Sequence, residues 1–213
     1  MKLRRRIYMS PKVSNQYKRN KELEILQSAK NVFIKKGYLK ATMQDIIVEA
    51  GISRGAIYSY FNNIEHIFEE LLKLEDEKDI IYFEREGVSS FWDQLIDWIR
   101  LQQRNIVEIN NSFLLCKTEF FLTKYRESKK TSNPYVIKRY ERLVSSITNF
   151  IDRGIEKKEF YSHKSSKAVA LYIISFFDGL MLDTFNLGME VTEVNDQIDV
   201  AIFTLENILC PIK

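Results

Sequence analysis

Apolar side chains recur along most of this chain at intervals of three and four, the spacing that lines one face of an α-helix. In "LEILQSAKNVFIKKG" the stripe is Ile25, Leu26, Ala29, Val32 and Phe33, and Gly37 is a natural stop. In "ATMQDIIVEAG" Thr42 is placed to cap a helix, with Asp45 three residues on, close to a capping box. Gly51 breaks that helix, and Ser53 is the next N-cap, ahead of "RGAIYSYF". The pattern therefore predicts three short helices within residues 22 to 60, joined by two tight turns. Longer amphipathic stretches follow. One carries Ile64, Ile67, Phe68, Leu71 and Leu72, and others are "FWDQLIDWIRLQ" and the aromatic "SFLLCKTEFFLTKY". A long helix is expected after Asn133-Pro134, and the last is "DQIDVAIFTLENIL". "KAVALYIISFFDGLMLDTF" is apolar on nearly every side, which implies burial on more than one face. No stretch alternates as a strand does, and the expected fold class is all-α.

Charge changes the picture more than composition does. The net charge is only +3, but residues 1–60 hold 13 Lys and Arg against 4 Asp and Glu, leaving the remainder near −6. A basic N-terminal third on an acidic body is the asymmetry of a nucleic-acid-binding module joined to something else. The expected division is a basic arm over residues 1–20, a DNA-binding unit over 21–66 and a helical regulatory and dimerisation unit over 67–213. No apolar run approaches the roughly 18 residues of a membrane span, and no apolar core follows the basic start as in a signal peptide. The two cysteines, Cys116 and Cys210, sit in apolar surroundings, and with His66 and His163 they give no metal-ligand spacing. A cytoplasmic protein without metal or cofactor is expected.

"GISRG", residues 51 to 55, matches G-x-S-x-G, the elbow that exposes a nucleophilic serine. That elbow needs a strand before the serine and a helix after it, whereas "MQDIIVEA" has helical spacing. The same residues make a helix-turn-helix. Gly51 permits a left-handed turn without steric cost, and Ile46, Ala50, Ile52, Ile57 and Phe61 lock the helices together. Ser53 caps a second helix whose start would enter the major groove. Arg54 is able to donate a bidentate pair to a guanine edge. Gly55 and Ala56 are small enough for close approach, and Tyr58, Ser59 and Tyr60 offer hydroxyls where phosphates would lie. Thr42, Met43 and Gln44, opening the preceding helix, complete the candidate DNA-binding set. No enzymatic activity is expected.

Residues 25 to 72 resemble the DNA-binding head of the TetR family of transcriptional regulators. The resemblance rests on Ala29, Phe33, Gly37 and Tyr38 at a helix end, on Thr42, on Asp45-Ile46, on Ala50-Gly51-Ile52-Ser53, on Gly55, and on Tyr58-x-Tyr60-Phe61. "FFDGLMLDTF" is similar to a late-helix segment of the family. Two positions depart from its pattern. Ile47 stands where a small alanine is usual, which implies slightly wider spacing of the first two helices. Ile64 stands where a phosphate-binding lysine is common, and Arg4, Arg5, Arg6, Lys18 and Arg19 of the arm are candidates to compensate through backbone or minor-groove contacts.

The resemblance implies a homodimer, built through the last two long helices, that binds a palindromic operator in double-stranded DNA. It also implies a small-molecule effector in the body whose binding releases the DNA, most commonly relieving repression. The residues themselves suggest an aromatic lining from Trp92, Trp98, Phe113, Phe120, Phe121, Tyr125, Tyr172, Phe176 and Phe177, with Glu108, Glu119 and Asp178 as polar groups. Such a lining suits an apolar or cationic-aromatic compound. The competing reading is a helical interaction module that keeps the head fold without reading DNA sequence.

Overall fold

In the computed structural model, residues 15–85, 90–109, 112–127 and 134–212 are described, the last four of 112–127 by backbone only. Every regular element among them is helical: α1 (Asn15–Lys36), α2 (Met43–Ala50), α3 (Arg54–Tyr58), α4 (Ile64–Glu84), α5 (Phe91–Val107), α6 (Phe113–Glu127), α7 (Pro134–Glu156), α8 (Ser166–Leu187), α9 (Met189–Thr192) and α10 (Val194–Leu209). Residues 15–20, expected as the end of the arm, form the first turns of α1, where Lys18 and Arg19 are exposed. Arg4, Arg5 and Arg6 lie outside the described residues.

Two apolar cores organise the chain. The head core gathers the predicted α1 stripe, Ile46, Ile47, Ile57 and Phe61 with Ile67, Phe68, Leu71 and Leu72 of α4. It also takes in Phe113, Cys116 and Phe120 of α6, far along the chain. Phe68 is its hub, with Phe33 edge-on at 4.8 Å, Phe120 stacked at 4.8 Å and Phe113 at 5.1 Å between ring centres. The residue 66–67 boundary expected from sequence falls inside α4, whose first half belongs to the head and whose second half, with Ile80 and Phe83, turns toward the body. Lys30 of α1 and Glu75 of α4 join the two regions by an ion pair of 3.0 Å with both side chains largely covered.

The body core is formed by α5, α7, α8 and α10 around Leu95, Ile99, Phe150, Ile173 and Ile198. α8 packs mainly on α7, α7 also on α4, and α10 on α5. The expectation that no segment matches a membrane span needs correction for α8. Its 22 residues are long and apolar enough by length and composition. Its two polar interruptions, Asp178 and Asp183, had masked the run. In this fold its Val169, Ala170, Ile173 and Ile174 are buried in the body core.

Candidate nucleic-acid interface and body cavity

The turn between α2 and α3 is fixed by caps at each corner. Thr42 and Asp45 complete a reciprocal capping box: the Asp45 N–H donates to Thr42 Oγ1 at 3.2 Å, and the Thr42 N–H to Asp45 Oδ2 at 3.1 Å. Lys36 at the end of α1 donates to Asp45 Oδ1 at 2.7 Å. The Lys36 and Thr42 hydrogen bonds hold the Asp45 carboxyl below the usual aspartate range. Gly51 closes α2 in the left-handed region (φ 61°, ψ 34°). Ser53 then caps α3, its Oγ accepting the Ala56 N–H at 3.2 Å. The serine hydroxyl is occupied as a cap on an exposed turn that follows a helix, an arrangement unlike a strand-borne nucleophile.

Of the predicted DNA-binding residues, Thr42, Gln44, Ser53, Arg54, Gly55, Tyr58 and Ser59 are exposed. Met43, Ala56 and Tyr60 are half-buried, and the Met43 and Tyr60 side chains pack on the head core. The Arg54 guanidinium lies 5.8 Å from the centre of the Tyr58 ring, so the two exposed side chains of α3 stack. A Cβ built on Gly55 would meet no atom within 4 Å, and the chain itself places no demand for glycine there. Ile64 opens α4 and packs on the head core, offering no cation. Lys40, exposed two residues before the α2 cap, is a further cation at this surface, which the helix-turn-helix pattern does not mark. Its signal was its place next to Thr42.

The body contains a cavity among α4, α5, α6, α7 and α8, with about 780 Å³ of unfilled space including its mouth. Trp98, Phe121, Phe177 and Asp178 of the expected lining do surround it. The others lie elsewhere. Phe176 packs edge-on against Phe177 at 5.4 Å, and Trp92 packs on the body core. Tyr172 is exposed. Phe113 and Phe120 are in the head core. Glu119 accepts the Tyr38 N–H at 2.5 Å, and Glu108 is the C-cap residue of α5. The Tyr125 side chain lies outside the described residues. The pattern missed Asp79, Phe83, Lys117 and Arg139, which line the cavity from α4, α6 and α7. For α6 the signal was present: Leu114, Lys117 and Phe121 recur at the same i, i+3, i+7 spacing as Phe113, Cys116 and Phe120, offset by one residue and so on the adjacent face.

The polar lining is layered. Arg139 is pinned to the buried Asp76 by contacts of 2.7 and 2.8 Å and lies over the Phe121 ring at 5.1 Å. Asp79 accepts the Trp98 indole N–H at 3.1 Å. Burial raises the Asp79 pKa, against the pull of Lys117 and the Trp98 hydrogen bond. Burial also raises that of Asp178, against Arg139 and Lys117. Burial lowers the Lys117 pKa, with Arg139 adding to the effect and Asp76, Asp79 and Glu75 opposing it.

Residues 25–71 match the family model described as bacterial regulatory proteins, tetR family. Residues 94–195 match the Tetracyclin repressor-like C-terminal domain model. The chain is 25% identical over 209 residues to the uncharacterized HTH-type transcriptional regulator YfiR of Bacillus subtilis, covering 94% of this chain and 98% of that protein. It is 26% identical over 174 residues to the HTH-type transcriptional regulator TtgR of Pseudomonas putida, covering 74% and 77%. Its fold superposes on Salmonella enterica GusR with a TM-score of 0.70 at 17% identity, covering 93% of this chain and 98% of that one. With a capped helix-turn-helix in the matched head and an all-helical body behind it, this chain belongs to the TetR family of DNA-binding transcriptional regulators.

Proposed function

We propose that the protein is a homodimeric, cytoplasmic repressor that binds a palindromic operator and is released by a small molecule in the body cavity. The observation that carries this reading is the double role of α6. One of its faces, with Phe113, Cys116 and Phe120, is built into the head core. The other, with Leu114, Lys117 and Phe121, lines the cavity. An occupant that displaces the second face acts on the first. A coupling of roughly 1–3 kcal/mol corresponds to an operator affinity change of about 5- to 150-fold.

In this reading Arg54 and Gly55 lead α3 into the major groove, and Thr42, Gln44, Tyr58 and Ser59 meet the backbone beside it. Dimerisation through α8 and α10 is supported by their outward apolar side chains. Phe203 and Val200 of α10 are 66% and 64% exposed in the single chain, and Leu182 of α8 is exposed as well. A second copy would cover them, and linking two heads raises affinity through effective concentration.

Selection of bound duplexes from a random pool tests the reading directly. A palindromic motif is expected, together with a dimer of the full-length protein in sedimentation that Phe203→Glu converts to monomer. Equal binding of scrambled and selected duplexes would instead favour the interaction-module reading, and a monomer at micromolar concentration would remove the dimer.

A further inference from the structure

We infer that the body cavity takes an aromatic zwitterion, an apolar ring system bearing an anionic group for Lys117 and an ammonium group for Asp178. The inference rests on the reading of this cavity as the effector site. Four charged side chains line it, and two are already committed within the protein. Arg139 is held by Asp76 at 2.7 and 2.8 Å, and Asp79 by the Trp98 indole at 3.1 Å. Lys117 and Asp178 make no hydrogen bond or ion pair with any described residue. The Lys117 ammonium lies over the Phe113 ring, 5.9 Å from its centre. The two groups stand on different helices, α6 and α8, facing one space. Asp178 is exposed in the single chain and belongs to the mouth, whereas Lys117 is more enclosed.

The more enclosed Lys117 charge costs free energy unless it is paired, and Asp178 offers an incoming cation a carboxylate not committed within the chain. A purely anionic occupant would satisfy Lys117 but leave Asp178 alone and bring its charge near Asp79. A purely cationic one would do the reverse and face Arg139. Only an occupant carrying both signs completes both groups. Phe83, Trp98, Phe121 and Phe177 supply aromatic walls for its body.

The test uses the full-length protein and three related probes measured by calorimetry. They are norfloxacin, which carries a carboxylate and a secondary ammonium on one aromatic body, its ethyl ester, which keeps only the cation, and its N-acetyl derivative, which keeps only the anion. Norfloxacin is expected to bind at least tenfold more tightly than either derivative. Lys117→Met should erase its advantage over the ester, and Asp178→Asn its advantage over the N-acetyl derivative. Thermal melting verifies that both variants fold, with Lys117→Gln and Asp178→Ser as replacements for one that does not. A single-charge derivative binding as tightly as the parent, parent binding indifferent to both substitutions, or no binding by any of the three would overturn the inference. Release of a selected duplex is followed in parallel by fluorescence anisotropy. Charge-dependent binding without release leaves the zwitterion inference standing and removes the release reading. Release driven equally by a single-charge derivative does the opposite.

Discussion

The carboxylate of Glu119, on α6, accepts the backbone N–H of Tyr38 at 2.5 Å, in the turn between α1 and α2. The contact is possible because residue 37 is glycine. Gly37 has φ +77°, and a Cβ there would stand 2.8 Å from Glu119 Oε2. One helical turn away on α6, the Cys116 thiol donates to the Phe33 carbonyl at 3.1 Å. The end of α1 is therefore held by α6 at two points, four residues before the Thr42 cap that starts α2. Replacing Glu119 by leucine leaves the Tyr38 N–H without its acceptor, which costs about 1–3 kcal/mol. A lower urea midpoint is expected, with a smaller loss for Glu119→Gln, which keeps an acceptor. Gly37→Ala should lower it too, because it meets both the left-handed backbone and the carboxylate. Unchanged midpoints for Glu119→Leu and Gly37→Ala would show that this contact does not hold the turn.

Arg54 separates reading from folding. It is exposed, stacks on the equally exposed Tyr58, and among the described residues has no part in the head core. Arg54→Ala should leave the melting temperature within experimental scatter. It should weaken binding to the selected operator by about 1–3 kcal/mol and relax preference at one base pair. Affinity for the operator that did not move on this substitution would rule out Arg54 as a base reader.

Gly55 gives the complementary case. With open space around its Cα on the protein side, Gly55→Leu should change stability by no more than about 0.5–1 kcal/mol, the range of helix propensity effects. Close approach to a duplex would be blocked, and operator binding should fall by an order of magnitude or more. Full affinity in filter binding would mean that α3 does not approach DNA at this residue.

The two thiols should behave differently. Burial first, and the Glu119 charge second, push the Cys116 thiol up to about 12, and it is fully enclosed in the head core. Cys210, half-buried at the end of α10, has no such enclosure. Because the thiolate is the reactive form, a maleimide at pH 7.5 should modify Cys210 in the native protein and reach Cys116 only after unfolding. Labelling of Cys116 at the Cys210 rate would reveal frequent opening of the contact between α1 and α6.

The head was legible in the sequence because local chemistry alone determines it. The α1 stripe, the Thr42 and Ser53 caps and the Gly51 turn each act within a few residues, and each stands where the pattern put it. The lining of the cavity was harder to read because it depends on which face of a long helix meets which neighbour. Aromatic content marked α6 correctly as a contributor but did not divide it. Phe120 goes to Phe68 in the head, and the adjacent Phe121, 100° around the helix, reaches the cavity while still packing against the head core. Likewise Glu119 looked like a pocket acid because its partner, a backbone N–H 81 residues earlier, carries no side-chain signature. Asp79 and Arg139 were overlooked because charged residues on amphipathic helices ordinarily face water.

Phe113, Cys116 and Phe120 seal a core whose other buried members end at Leu72. During synthesis, the reading head must wait for some fifty more residues to leave the ribosome before its last wall arrives. The same dependence limits recombination between relatives. A chimera that joins this head to a foreign sensor just after α4 would inherit a hole beside Phe68, unless the donor's α6 brought side chains of matching volume.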